Sequence, residues 1–254
     1  MPYSVSSRME DERLKGLLLA PDKREVLEEL LYNYMRNLNR IQRWNHLSHL
    51  RFGADITRNG IDTDRILRKV FNQIDEFLEV EKVPEPTYYY DPDCLLKGAI
   101  FNLMNYSFRI PRKDRVHLIL SASHEYTHHV QIAYKIQTEY YPIFSEGHAR
   151  GVERHIAEEY LALEKNEAFL LPPLQRAVSD VKMTYIWFCA VNACEPRRSL
   201  LRSISPSDFS NQIFFDQYGE PRPHALGNAL FMMNEEVSGK KIYPKAVKKK
   251  LVLK

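Results

Sequence analysis

Cysteine is scarce in this sequence of 254 residues, which contains three: Cys94, Cys189 and Cys194. Their spacing includes no C-x-x-C pair, so the chain has neither a disulfide framework nor the cysteine pattern of a zinc knuckle. Reduced, buried thiols are therefore expected, as in an intracellular protein.

Strong net charge is also lacking. A net charge of +3 is too small to indicate nucleic-acid binding by itself, and no basic face is found outside the C-terminal end. Much of the positive excess lies in residues 240–254, which predicts a solvated basic tail rather than a binding arm. With 44% hydrophobic and 27% charged residues, the chain has the composition of an ordinary globular protein with one large core or two modest ones.

Long apolar runs are missing as well. The run at 17–20 is far too short to span a membrane, and nothing else approaches the required length. The N-terminus lacks the basic-then-apolar layout of a signal peptide. We therefore expect no membrane association and a cytoplasmic location.

Apolar residues at helical spacing predict that most of the chain is helical. The N-terminal third contains no constellation of metal ligands and is interpreted as a helical region, 1–84. Three short stretches rich in aromatic and β-branched residues, at 87–90, 98–101 and 105–110, predict a small β-sheet. The predicted helices are 24–46, 62–81, 114–135, 143–165, 174–194 and 223–239.

The most informative stretch is 123–129, with the sequence S-H-E-Y-T-H-H. In a helix, His124 and His128 lie on the same face one turn apart and can offer two nitrogen ligands to one zinc ion. Glu125 lies close enough to reach a metal-bound water without being a ligand. No glycine or proline interrupts residues 115–135, and the apolar residues before the motif predict a buried helix.

A second stretch, S-E-G-H-A-R-G-V-E at 145–153, contains candidates for the third metal ligand. Glu146 and Glu153 share one stripe of the predicted helix with Arg150, so either carboxylate is a candidate. The small residues Gly147 and Ala149 predict that this helix can approach the helix 114–135, which we call the metal helix, closely enough for both to bind one ion.

H-E-x-x-H followed at this distance by E-G-x-A-x-x-V-E resembles the gluzincin metallopeptidases, the thermolysin and aminopeptidase type. The resemblance covers residues 95–160, with a weaker echo at 224–239. It implies that Glu146 is the third ligand of zinc and that Glu153 accepts a hydrogen bond from a ligand histidine. Arg150 departs from relatives that carry an acid there; it either pairs with Glu153 or binds a substrate carboxylate.

The resemblance also implies a donor for the oxyanion. Several gluzincin families have a tyrosine three residues before a glycine in a late helix; here His224 has that position and can donate the same hydrogen bond. An ordinary helix N-terminus is the alternative, and Tyr185 and Tyr218 are less specific candidates. The stretch 98–102 is either a sheet edge that binds extended peptide or a hairpin that packs on the metal helix.

The sequence therefore predicts an α+β, mostly helical, zincin-like domain at 85–240, between the helical region 1–84 and the basic tail 241–254. Its predicted activity is that of a zinc-dependent hydrolase, a metalloprotease acting on a peptide or protein substrate with Glu125 as general base. Two alternatives remain: a catalytically silent zincin-like protein that binds or regulates, and a helical protein with a chance motif. Cleavage specificity, the choice between endo- and exopeptidase, and oligomeric state are left open.

Overall fold

The computed structural model describes residues 5–45, 63–81, 83–90, 100–102, 107–110, 115–135, 142–201, 220–248 and 253. Most of this part of the chain is helical. Its helices are α1 (Val5–Leu19), α2 (Lys23–Asn45), α3 (Thr63–Leu78), α4 (Arg115–Ala133), α5 (Pro142–Glu164), α6 (Leu171–Val191), α7 (Arg198–Leu201), α8 (Pro223–Ser238) and α9 (Ile242–Val247). One turn of 3-10 helix, Glu167–Phe169, connects α5 to α6.

The prediction of an α+β domain is wrong, because the fold is all-helical. The strands β1 (Thr87–Tyr90), β2 (Ile100–Asn102) and β3 (Ser107–Ile110) are only three or four residues long. They form a sheet in the order β1-β3-β2, with β1 parallel and β2 antiparallel to β3. Strands this short cannot provide a layer of the core, so the sheet is a small attachment beside α4.

The ends of the helices follow from local sequence. Pro172 and Pro173 lie in the first turn of α6, and Pro223 begins α8. Proline suits the first turn of a helix because the missing N–H has no partner there in any case. Gly239 ends α8 with φ 63°, a backbone conformation that favours glycine.

The core lies between α4, α5, α6 and α8, with α1, α2 and α3 packed around them. One hydrophobic cluster contains Leu14 and Leu27 from the N-terminal helices, Tyr126 from α4 and Phe231 from α8. This one core contains residues from both sides of position 84. The predicted domain boundary there stays a prediction. Among the described helices, none is both long and apolar enough to cross a bilayer.

Helices α5 and α8 pack backbone against backbone at two glycines. A Cβ atom added to Gly147 would lie 2.2 Å from the carbonyl oxygen of Gly227, and one added to Gly227 would lie 1.9 Å from the carbonyl oxygen of Ile143. Neither distance is possible for real atoms, so only glycine fits at both positions. Gly147 was predicted to allow the close approach of the helix that carries His124 and His128, but the element in close contact with it is α8.

Buried polar pairs fix other helices around α4 and α5. The Tyr126 hydroxyl donates to the buried Asp75 carboxylate of α3 over 3.1 Å. The buried Arg154 of α5 donates to Glu235 of α8 over 2.9 Å and to the Tyr243 hydroxyl of α9 over 3.0 Å. The buried charges of Asp75 and Arg154 thus both have hydrogen-bond partners, which offsets the cost of their burial.

The predicted basic tail needs a correction. Ile242–Val247 forms α9, in which Ile242, Tyr243, Ala246 and Val247 are buried in the main core while Lys245 is exposed. This alternation of apolar and basic residues is that of a helix packed on one side. The segment therefore begins as part of the fold and not as a solvated end.

Candidate metal centre

Two histidines from α4 form the base of the candidate site. His124 and His128 are four residues apart in a helix whose residues 122–131 are all buried. Their Nε2 atoms are 3.2 Å apart, and the two rings are nearly perpendicular, at 86°. The spacing thus brings two ring nitrogens to one point, as the sequence predicted.

Glu146 of α5 completes the group. Its Oε2 atom is 3.3 Å from His124 Nε2 and 3.5 Å from His128 Nε2. The three candidate ligand atoms therefore form a small triangle. Zinc–ligand bonds of 2.0–2.1 Å in a tetrahedron imply edges of roughly 3.4 Å. The three separations of 3.2, 3.3 and 3.5 Å match that edge. The residues present therefore fit a tetrahedral metal ion.

Electrostatics also favour a cation at this point. Burial lowers the pKa of His124 to about 3, so that its ring is neutral and can act as a ligand. Burial alone would raise the pKa of Glu146, but His128, His124 and His224 together hold it well below its ordinary value. Against the effect of burial, Glu146 raises the pKa of His128 to about 9, so a divalent metal that binds here would displace a proton from His128.

The buried oxygen at the centre lacks a proper partner in the protein. Oε2 of Glu146 is surrounded by three histidine nitrogens, yet it accepts no hydrogen bond of acceptable geometry from them. Nδ1 of His124 is also buried without a hydrogen bond. A buried polar atom in this state costs stability unless another group, such as a cation, satisfies it.

The orientation of His128 is set by a side chain that the sequence analysis missed. Nδ1 of His128 is 2.9 Å from Oε1 of Gln131, and an amide oxygen can only accept, so Nδ1 carries the proton. The other ring nitrogen, Nε2, consequently faces His124 and Glu146. Gln131 is three residues after His128, which is the signal that could have indicated it.

A chain of hydrogen bonds behind Gln131 has only one possible direction. Gln131 Nε2 donates to the carbonyl oxygen of Ser145 over 2.9 Å and lies 3.0 Å from His148 Nδ1. Nε2 of His148 donates to the carbonyl oxygen of Tyr243 over 3.1 Å, because a carbonyl cannot donate. Burial lowers the pKa of His148 to about 4, so its Nδ1 is an acceptor for Gln131. We call Gln131, His148 and the Tyr243 carbonyl the relay.

Glu153 lies on the other side of His124. Its Oε2 is 3.8 Å from His124 Nδ1, beyond hydrogen-bonding distance, so the predicted acceptor is near but not bonded. Two guanidinium groups bind this carboxylate instead: Arg150 at 3.2 Å and Arg176, which pairs with the other oxygen. Arg150 thus pairs with Glu153, as one of the two sequence-based alternatives proposed.

His224, the candidate oxyanion donor, lies at the site. It is in the first turn of α8, and its Nε2 is 2.9 Å from Glu146 Oε2. Its ring lies parallel to that of His124, with 6.2 Å between the centroids, and its side chain is 45% exposed. A histidine that is near the candidate ligands and open to solvent can reach a bound substrate; its catalytic role stays a prediction.

No family model matches this chain, and neither the curated proteins nor the solved structures give a match. The resemblance to gluzincins therefore rests on the motifs and on the site geometry, and it stays a hypothesis.

The remaining candidates are Glu125, Tyr185, Tyr218 and the stretch 98–102. Glu125 is buried and directly follows His124. Burial lowers the pKa of His128, but the negative charges of Glu146 and, to a smaller extent, Glu125 raise it. Tyr185 is outside the site, because its hydroxyl donates to Glu28 over 2.6 Å. Strand β2, residues Ile100–Asn102, is at an edge of the described sheet and also contacts α4, so the choice between a peptide-binding edge and a hairpin that packs on this helix stays open. Residues 98–99 and Tyr218 lie outside the described residues.

Proposed function

We propose that this protein is a zinc-dependent peptidase of the gluzincin type, in which His124, His128 and Glu146 hold the metal. The observation that carries the proposal is the convergence of two Nε2 atoms and one carboxylate oxygen at separations of 3.2–3.5 Å. Two histidines and one carboxylate are the protein ligands of many catalytic zinc sites, which leave a fourth position open.

In the proposed mechanism, bound zinc would lower the pKa of a water molecule toward neutrality and polarise the substrate carbonyl. Glu125 then accepts a proton from this water as the water oxygen bonds to the carbonyl carbon. When the carbon–nitrogen bond breaks, Glu125 delivers the proton to the leaving amine. The products are a carboxylic acid and an amine, and Glu125 is again ionised.

His224 donates a hydrogen bond to the developing oxyanion in this proposal. Its position beside Glu146 and its partial exposure support this role, since a donor must reach the substrate from the open side of the site. The first turn of α8 adds the positive end of the helix dipole, which favours negative charge nearby.

The first test is metal content, measured by elemental analysis on protein purified without added metal or chelator. We expect about one zinc per chain, on the ligand geometry of a single tetrahedral site, and its loss in His128→Ala. His155→Ala is the control, because His155 pairs with Glu159 and is not a candidate ligand. No metal in the wild-type protein, even after zinc is offered, would contradict the proposal.

The second test separates metal binding from catalysis. Glu125→Gln keeps the shape of the side chain but removes the base, so we expect zinc to remain bound and hydrolysis of a quenched fluorescent peptide library to fall by about 10²–10⁴-fold. Glu167→Gln, on the 3-10 turn, is the matched control. Chelation should abolish activity and zinc should restore it. Hydrolysis that survives in Glu125→Gln would show that the mechanism is wrong; zinc without any hydrolysis would favour the silent binding protein.

A cytoplasmic location is the remaining part of this proposal. Cys189 and Cys194 are free thiols although they are only five residues apart, which is the state that a reducing compartment maintains. Fractionation of the native cells with an antibody to this protein tests it; recovery in the secreted fraction would contradict it.

A further inference from the structure

A cavity lined by three arginines opens beside the candidate metal centre. Its volume is about 430 Å³, within the range of roughly 300–1,000 Å³ that is usual for small-ligand pockets. The charged residues that line it are Arg150, Arg176, Arg222 and Asp180. His224 lines the same cavity and is 2.9 Å from Glu146, so the cavity and the metal centre are neighbours. We call it the arginine pocket.

Arg150 and Arg176 are held in place by one shared carboxylate. Glu153 gives one carboxylate oxygen to Arg150 and the other to Arg176. A guanidinium has five N–H donors, and Nε of Arg150 and Nε of Arg176 are both buried without a hydrogen-bond partner. An anion in the pocket cannot reach these two buried atoms, but the side chains of Arg150 and Arg176 are 21% and 33% exposed, and their terminal nitrogens can donate to it.

The N-terminus of α8 adds to the positive potential of the pocket, and Asp180 reduces it. Burial and the neighbouring Arg150 lower the pKa of Arg176, whose side chain is one third exposed. The N-terminus of α8, with Arg222 as its N-cap and Ala225 on the wall, contributes the positive end of a helix dipole. Asp180 has the opposite effect, although one of its oxygens accepts from the Asn228 amide over 2.8 Å.

Charge and shape together favour one class of anion. Three guanidinium groups and the carboxylate of Asp180 line the pocket, so its walls carry more positive than negative charge. A phosphate dianion would bring two negative charges next to the carboxylate of Asp180, which disfavours it relative to an anion with one charge. A carboxylate carries one charge and has the flat, two-oxygen shape that a guanidinium binds best.

We propose that the arginine pocket binds a carboxylate of the peptide substrate next to the bond that is cleaved. This inference rests on the proposed function. The carboxylate has two possible sources, the C-terminus of the substrate or an Asp or Glu side chain, and the pocket recognises the chemistry that they share. The enzyme then acts on acidic peptides or removes residues from a free C-terminus.

The test uses binding so that it does not depend on turnover. Zinc-loaded Glu125→Gln protein is titrated with labelled peptides that form two matched pairs: a free C-terminus against a C-terminal amide, and an internal Glu against Gln. A charged hydrogen bond is worth about 1.5–3 kcal/mol, which corresponds to an affinity difference of about 10–100-fold. We expect such a preference for the acid in at least one pair, and that pair identifies the source of the carboxylate.

Variants then locate the preference. Arg176→Gln and Arg222→Gln should each reduce the preference for the acid to about threefold or less, whereas the affinity for the neutral peptide should change by no more than about twofold. Arg13→Gln, an exposed arginine of α1, is the control for loss of one positive charge. A general loss of structure would weaken both members of a pair, and so it would not reproduce this pattern.

Three results would overturn the proposal: equal binding of acid and neutral peptides, a preference for the acid that persists in both variants, and competition by inorganic phosphate that is stronger than competition by acetate. Failure of the peptidase proposal is recognised separately. If the wild-type protein hydrolyses no peptide while the acid preference depends on Arg176 and Arg222, the pocket stands and the activity does not.

Discussion

At the scale of single residues, the geometry of the candidate metal centre depends on groups other than its three candidate ligands. Gln131 accepts from His128 and thereby leaves Nε2 of that ring facing the other ligands. His148, buried in its neutral form, accepts from Gln131 and fixes the direction of the amide. Partners of this kind usually change metal affinity 10–100-fold when they are removed.

We therefore expect Gln131→Met to weaken zinc binding by about 10–100-fold, because methionine has a similar shape but cannot accept from His128. Affinity is measured by competition with a chromophoric chelator. Thr127→Val, next to His128 in α4, is the matched control: it removes a buried hydrogen bond to the Ser123 carbonyl without touching the ligands. An affinity that changes equally in both variants would contradict a specific role for Gln131.

The sequence predicted the candidate ligands but not what surrounds them, and the reason is physical. The pairing of His124 with His128 follows from their spacing within one helix, which is a local property. The acceptor of the Tyr185 hydroxyl, Glu28, is 157 residues away in the chain, so its pairing depends on how α2 and α6 pack. The same holds for His148, whose side chain faces the carbonyl of Tyr243 in α9.

At the scale of elements, the contact of α5 with α8 positions two of the site residues. Glu146 precedes Gly147 in α5, and His224 lies one turn before Gly227 in α8. Because the two glycines touch, the side chains that precede them meet, at 2.9 Å between His224 and Glu146. Helix periodicity predicted both helices to within a few residues, but not that they pack against each other.

Gly147→Ala tests this contact. Its Cβ would lie 2.2 Å from the Gly227 carbonyl oxygen, and backbone atoms cannot yield easily, so we expect a loss of about 2–4 kcal/mol in the free energy of unfolding. Zinc content should fall as well, since Glu146 shifts with its neighbour. The measurement is chemical denaturation followed by circular dichroism.

Gly16→Ala is the control for that experiment. Gly16 lies in α1, and nothing is within 4 Å of a Cβ added there. Alanine is a better helix former, so we expect a gain of up to about 1 kcal/mol. Equal effects of the two substitutions would show that the close packing of α5 and α8 does not matter for stability.

The small sheet shows where prediction by element type failed. The three observed strands overlap the stretches 87–90, 98–101 and 105–110 in which aromatic and β-branched residues predicted extended backbone. Strand propensity does not reveal whether a strand is long enough to build a core layer. The helices around α4 fill that role, which is why the α+β class was wrong.

At the scale of the whole molecule, one acid in α1 opposes folding at neutral pH. Burial, with smaller contributions from Glu12 and Glu10, raises the pKa of Asp11 from 3.8 to about 6, against the lowering effect of Ile143 and Lys15. One of its oxygens is buried without a hydrogen-bond partner. The folded protein therefore binds this proton more tightly than the unfolded chain.

The sign of the pH dependence follows. Because the folded pKa is the higher one, the contribution of Asp11 to stability is largest below pH 4 and is lost as the pH rises from about 4 to about 6. Asp11→Asn removes the titration, and we expect it to be about 1–2 kcal/mol more stable than the wild type at pH 7, since the side chain is only half buried.

The measurement is urea denaturation at pH 4, 5, 6 and 7, with Glu12→Gln as the control. Glu12 is an exposed neighbour paired with Lys15, so its substitution should change stability by less than about 0.5 kcal/mol. A stability difference between Asp11→Asn and the wild type that does not grow with pH would show that Asp11 titrates normally.

The relay has a consequence for how the protein matures. Its last member is the carbonyl of Tyr243 in α9, more than a hundred residues after the ligand whose proton it helps to position. Before α9 docks, the Tyr243 carbonyl is not in place to accept from Nε2 of His148, and His148 can adopt either of its two neutral tautomers. If the candidate centre binds a metal, we therefore expect loading to be most efficient after α9 has docked, so that metal uptake follows folding of this segment and does not lead it.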